Sequence, residues 1–165
     1  MLRIGLISDT HNQLDDRFLT FLESCDELWH AGDLGSIELC DRLEAFKPFR
    51  AVYGNIDDAR IRMRYPENQL FECAGLRVLM THIGGYPGKY NARTLMLIRK
   101  HRPGMVICGH SHILKVLYDH SLQHLHLNPG AAGIQGWHKV RTALRFEITD
   151  GKPGAMELFE LPRTL

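Results

Sequence analysis

The chain is built of short apolar runs, and five of them stop at residues that bind metal ions through oxygen or imidazole nitrogen. The five ends are Asp9-Thr10-His11, Gly32-Asp33, Gly54-Asn55, Thr81-His82 and Gly109-His110-Ser111-His112. One such end would say little; the ordered set restricts the fold strongly. Leu2 to Ser8, Glu27 to Ala31 and Phe49 to Tyr53 are predicted as buried strands, each bounded by polar turn residues. Between them, Asp15 to Cys25 carries Phe18, Leu19, Phe21 and Leu22 at helical spacing, with acidic residues in its first turn. Ser36 to Phe46 repeats the pattern with Ile37, Leu39, Cys40 and Leu43, Ser36 as N-cap and Pro48 closing it. A βαβαβ opening of this kind implies parallel strands with crossover helices. Ligands of such sheets collect outside the carboxyl ends of the strands, where the first three motifs lie.

The middle and end are less regular. Asp57 to Pro66 is polar, and its Arg60, Arg62 and Arg64 are expected on a solvated loop or short helix at the rim of the site. Gln69 to Cys73 and Leu76 to Thr81 flank Ala74-Gly75 as a hairpin. Tyr90 to His101 is predicted helical and Met105 to Cys108 a strand, with further strands at Lys115 to His120, Leu125 to Leu127, Thr142 to Thr149 and Ala155 to Leu161. No repeat, low-complexity tract or linker interrupts the 165 residues, so a single domain over 1–165 is expected. A formal net charge of +1 argues against a nucleic-acid surface. No run approaches the ~20 apolar residues of a membrane span, and the start lacks a basic region and cleavage site. Cys25, Cys40, Cys73 and Cys108 are scattered without a CxxC pair, which fits buried thiols of a reducing cytoplasm better than a disulfide framework.

The motifs supply two carboxylates, one amide oxygen and four imidazoles, enough for two divalent ions that share one carboxylate. The i, i+2 spacing of Asp9 with His11, and of His110 with His112, lets each pair point to one side of an extended segment. Asp33 is the expected bridge, because a carboxylate has two oxygens to offer. Asn55 adds a neutral oxygen. Two +2 ions, two carboxylates and one hydroxide leave a formal charge of +1, which favours an anionic phosphate. A water shared by two such ions becomes hydroxide near neutral pH and can attack phosphorus in line. Mixed oxygen and nitrogen ligation suits Mn, Fe, Zn or Ni, and the lack of cysteine ligands argues against a structural zinc site.

The series Asp-x-His, Gly-Asp, Gly-Asn-x-Asp, Thr-His and Gly-His-x-His resembles that of the calcineurin-like metallophosphoesterases. The short length and Asn128-Pro129-Gly130 make the chain similar to their small bacterial and archaeal phosphodiesterase branch. The resemblance runs from Asp9 to Gly130 and implies a four-layer αββα sandwich with mixed sheets, its dinuclear site at the carboxyl ends of the strands. It assigns Asp9, His11, Asp33 and His112 to one metal and Asp33, Asn55, His82 and His110 to the other. Manganese is expected, with nickel, iron, zinc or magnesium as alternatives. The activity implied is a metal-dependent phosphodiesterase acting on a small phosphate ester, with Asp33, Asn55 and Asp57 carrying catalysis and the substrate-binding residues unidentified. One position departs from the larger members of the family, where a histidine follows the asparagine and assists the leaving group. Here it is Ile56, which has no proton to give. Asp57 is expected to hydrogen-bond a metal-bound imidazole. Two other classes compete: a scaffold on the same fold, as in the small subunit of the retromer coat, and a metal-dependent nuclease. The scaffold lacks part of the metal set, which is complete here, and the nuclease would want a basic groove. Whether the chain forms a homo-oligomer is left open.

Several residues are expected to be structural. His30 is read as a hydrogen-bonded histidine packed in its strand. His124 and His126 alternate with Leu125 and Leu127 and are expected on a solvated strand face. His120 and His138 have no partner at useful spacing. Gly84 to Lys89 is expected to be a plain loop, the alternative being a lid that brings Tyr86 or Lys89 over substrate. Asn128-Pro129-Gly130 is read as a structural turn.

Overall fold

The computed structural model describes residues 1–164. Strands β1 (Leu2–Ile7), β2 (Glu27–His30) and β3 (Phe49–Ala51) run parallel, joined through helices α1 (Asp16–Leu22) and α2 (Ile37–Phe46). Helix α3 (Ala59–Arg64) follows, then the antiparallel hairpin β4 (Asn68–Cys73) and β5 (Leu76–Thr81). The rest comprises α4 (Ala92–His101), β6 (Met105–Ile107), β7 (Leu114–Asp119), β8 (His124–Pro129), β9 (Val140–Thr149) and β10 (Lys152–Pro162). They form two five-stranded mixed sheets, ordered β10-β9-β1-β2-β3 and β4-β5-β6-β8-β7. In the second sheet β5, β6 and β8 are parallel, while β4 and β7 run antiparallel at the two edges.

Strand periodicity makes the layers. On β1, Ile4 and Leu6 face the other sheet, while Ile7 joins Phe18, Leu22, Leu28, Leu39 and Leu43 under α1 and α2. Between the sheets Ile4, Leu6, Trp29, Leu144 and Phe146 meet Val78, Met80, Met105, Ile107 and Leu127, all buried. On the far side Leu79 and Val106 pack with Ile98 of α4. The result is helices, sheet, sheet, helix: the expected four-layer αββα sandwich. Caps agree with composition. Ser36 accepts the N–H of Leu39 at the start of α2, Asp58 that of Ile61 at α3, and Asn91 that of Thr94 at α4. All four cysteines are free and buried.

The expectation for β8 is corrected. His124 and His126 do face away from Leu125 and Leu127, but neither is solvated; both are fully buried. The Tyr90 hydroxyl, just before α4, lies 2.8 Å from His124 Nε2 and 2.7 Å from His126 Nδ1. β8 lies inside the sheet beside parallel β6, and such strands are covered on both faces. Burial pushes His126 down to about 4 and lowers His124 as well.

Candidate metal centre

The first, second and third motifs follow parallel strands, so their loops emerge at one edge of the first sheet. Backbone bonds lock them together: Asp9 N–H donates to Gly32 C=O at 2.9 Å and His11 N–H to Asp33 C=O at 3.0 Å. The second sheet brings the other two motifs to the same edge, where Gly109 N–H donates to His82 C=O at 3.0 Å. Gly54 is needed for this convergence, because a Cβ there would fall inside the Asp33 carboxylate.

The backbone at the site is not extended, which corrects the expected i, i+2 geometry. Asp9, His11, Asp33, His110 and His112 all have φ between +46° and +70°. The strands end before the motifs, and the side chains are aimed by left-handed turns. Such conformations cost about 1–3 kcal/mol each outside glycine and persist only where surrounding contacts impose them.

Six titratable side chains converge in two groups, Asp9 with His11 and His112, and Asp33 with His82 and His110. Asp33 Oδ2 lies between the groups, 3.3 Å from His11 Nε2 and 3.2 Å from His82 Nε2. Asp9 Oδ1 is 3.2 Å from His112 Nε2 and 3.7 Å from His82 Nε2. Asn55 Oδ1 joins the second group at 3.1 Å from both His82 Nε2 and His110 Nδ1. The other carboxylate oxygens are held by the protein: Asp9 Oδ2 accepts from Ser8 Oγ and His110 N–H, and Asp33 Oδ1 accepts from Ile56 N–H.

The donor set fits cations. His82 Nδ1 lies 2.7 Å from the Ala31 carbonyl, which can only accept, so that nitrogen carries the ring proton. In a neutral ring Nε2 is then a bare lone pair, yet it faces Asp9 Oδ1, Asp33 Oδ2 and Asn55 Oδ1, three further acceptors. Despite these close approaches, Asp9 Oδ1 and His11 Nε2 are buried and make no well-aligned hydrogen bond among the described residues. Acceptors facing acceptors require positive charge between them, as protons or as metal ions. Titration carries the same message. Burial alone would raise Asp9 and Asp33, but the facing imidazoles hold both well below the usual carboxylate range. Asp33 and Asp9 together push His11 up to about 9, and they raise His82 against the opposing effect of its burial.

Other expectations are redrawn. Asp57 touches no imidazole; its buried carboxylate accepts the N–H groups of Gly54 at 2.8 Å, Gly35 at 2.9 Å and Leu34 at 3.2 Å. It ties the Asn55 loop to the Asp33 loop by accepting N–H groups from both. Arg62 is not simply solvated: it stacks on Tyr53 and donates to the carbonyls of Asp57 and Asn55. Arg64 pairs with Asp41 and Glu44, and Arg60 with Asp58. His30 is buried as expected, held neutral at about 3 by burial, with Gly32 N–H on Nδ1 and Thr10 Oγ1 on Nε2. In the Gly84–Lys89 loop the Tyr86 ring lies 3.9 Å from Lys115 Nζ of β7. Asn128 and Pro129 end β8, and the Asn128 amide donates to Gly109 C=O and Ser111 Oγ, bracing the last motif from behind. His138, expected to have no partner, lies 3.1 Å from the ring of His112. No spacing signalled this contact, since it is made across a loop.

Two mixed sheets, flanking helices and this cluster at their common edge define a calcineurin-like phosphoesterase fold, and the chain belongs to the calcineurin-like phosphoesterase superfamily, whose model matches residues 2–151. It is 30% identical over 135 residues to a probable metallophosphoesterase of Methanothermobacter thermautotrophicus, covering 78% of this chain and 76% of that protein. Among solved structures it resembles an archaeal phosphodiesterase, at 21% identity and a TM-score of 0.78 over 97% of this chain and 100% of the other. It also resembles zinc-complexed Vps29 from Entamoeba histolytica, at 18% identity and a TM-score of 0.75 over 99% and 100%. At these identities the two structures speak for the fold alone.

Proposed function

We propose that the chain is a single-domain, dinuclear metal-dependent phosphodiesterase of the cytoplasm. The observation that carries this reading is the position of Asp33 Oδ2 between two groups of ligand atoms, each containing imidazoles whose lone pairs face carboxylate oxygen. Asp9, His11, Asp33 and His112 would hold one ion and Asp33, Asn55, His82 and His110 the other, manganese being our choice. When bound, such a pair supplies Lewis acidity and an activated water. The chain's own part is to orient. The backbone lock between the motifs, with Asp57 and Asn128 behind them, keeps the ligands in place before substrate arrives.

Two clefts favour a diester over a monoester. One, of about 320 Å³, is lined by Tyr53, Asn55, Arg62, His82 and Arg93. The other, of about 300 Å³, is lined by His110, His112, Ile113, Trp137 and His138. Each shares ligands with the centre, so each can receive one ester arm of a phosphate held there. Ile56, next to Asn55 and 45% exposed, offers no proton to a departing alkoxide. General-acid help is typically worth about 10²–10⁴-fold in rate, so esters with stabilised leaving groups are the expected substrates.

The test is hydrolysis of aryl diesters and monoesters of graded leaving-group pKa by manganese-loaded protein. Diesters should be preferred and rates should fall steeply as leaving-group pKa rises; preference for monoesters would overturn the diester reading. Asp33→Asn should lower the rate by several orders of magnitude, against little change for exposed His120→Ala. Equal losses in the two variants would dismiss the ligand assignment. Full activity after chelation would dismiss the metal mechanism.

A further inference from the structure

We infer that His138 is a positioning residue that sets the tautomer of His112, and so decides which nitrogen of His112 is free to bind metal. The inference rests on the reading of His112 as a ligand. His138 Nε2 lies 2.8 Å from the carbonyl oxygen of Gly133. A carbonyl only accepts, so the ring proton of His138 sits on Nε2 and Nδ1 of the neutral ring is a bare acceptor. That Nδ1 lies 3.1 Å from Nδ1 of His112. His112 must therefore carry its proton on Nδ1 and donate it to His138. Its Nε2 is left as a lone pair, and Nε2 is the atom that faces Asp9 Oδ1 at 3.2 Å. The opposite tautomer would place a proton on Nε2, pair it with Asp9 and block the ligand position. It would also set two bare nitrogens against each other at His112 and His138.

The loop is shaped for this contact. Gly133 N–H donates to the Asp9 carbonyl at 3.1 Å, so the loop begins on the backbone of one ligand and returns to the ring of another. Gly136 has φ +128°, and a Cβ there would run into the His112 ring and His138 Nδ1. Trp137, between Gly136 and His138, is fully exposed and contributes no anchor. A carbonyl, a histidine and a ligand histidine thus form a relay of hydrogen bonds that ends on the metal-facing lone pair. Partners behind a ligand imidazole typically change metal affinity by about 10–100-fold when removed.

The experiment uses the full chain loaded with zinc. Ring-nitrogen NMR of the unmodified protein should find the His112 proton on Nδ1 and none on Nε2. Chelator competition should show that His138→Phe weakens one of two bound zinc ions about 10–100-fold and leaves the other near its original affinity. His138→Gln, whose side-chain oxygen can still accept from His112, should retain most of that affinity. A proton on Nε2 of His112, or two zinc affinities unchanged in His138→Phe, overturns the inference. Zinc on Nε2 would by itself leave the proton on Nδ1, so the contrast between a residue that cannot accept and Gln at position 138 decides the role of His138, with His138→Leu in place of His138→Phe where the latter fails to fold. If the unmodified protein binds no zinc, or His112→Ala binds two ions as tightly as before, the ligand reading itself falls and this inference with it.

Discussion

His11 shows how much of the site's behaviour one side chain can report. Asp33 and Asp9 push it up to about 9, so in the metal-free protein it is protonated across the neutral range. On the proposed ligation a proton and a metal ion would compete for this nitrogen, and apparent metal affinity should fall as the pH is lowered from 9 towards 6. The free protein should show the converse. A raised pKa contributes stability that is whole below the ordinary value of 6.5 and is lost as pH rises through about 9. The melting temperature of chelated protein is thus expected to decline over that window, while metal-loaded protein resists the decline. A pH-independent melting temperature for the chelated form would refute the electrostatic account. Trp137 belongs to the same scale. It is wholly exposed beside the His110–His112 cleft, whereas Trp29, the other tryptophan, is buried in the core. Stacking of an aryl arm is worth about 0.5–1.5 kcal/mol, so Trp137→Ala should raise KM for aryl diesters ~2–10-fold with kcat little changed. An unaltered KM would remove Trp137 from the binding surface.

At the scale of elements, β8 and the start of α4 are joined by one hydroxyl. Tyr90 sits between His124 and His126, and the remaining nitrogens of both rings, His124 Nδ1 and His126 Nε2, are buried without a hydrogen-bond partner among the described residues. Replacing Tyr90 with Phe keeps the ring and its packing but strips both imidazoles of the hydroxyl they share. Loss of about 1–3 kcal/mol is expected, read as a lower denaturation midpoint with the slope unchanged. Stability equal to the unmodified protein would mean that water replaces the hydroxyl. Strand parity was legible in the sequence here: two leucines on one face, two histidines on the other. What covers the histidine face was not legible, because alternation gives direction along a strand and carries no information about the neighbouring layer. The helix starts, by contrast, could be read locally. Ser36 bonds an N–H three residues away, within reach of any local pattern.

For the whole molecule, the proposed ligands come from loops after β1, β2, β3, β5 and β6, drawn from two different sheets. Each of the two proposed ions would take ligands from both sheets, so each would hold the sheets together at one edge and would bind only the folded chain. At 100 times its Kd it should stabilise by ~2.7 kcal/mol. For a chain of this size each kcal/mol is worth ~2–4 °C, so manganese or zinc should raise the melting temperature of chelated protein by ~5–11 °C. No shift with any of manganese, zinc, nickel or iron would contradict the dinuclear reading. Among the described residues no helix is long and apolar enough to cross a membrane.

Local pattern alone located the ends of β1, β2 and β3 to within two residues, the donor types that follow them and the Ser36 cap of α2. These are local properties, encoded in apolar runs, glycine positions and caps within a few residues. Which donors meet was settled by the folded chain. It placed Asp33 between His11 and His82, gave Asp57 to three backbone N–H groups instead of an imidazole, and set His138 against His112. Contacts of this kind depend on strand order and on how loops fold back, and both follow from the packing of distant layers against one another.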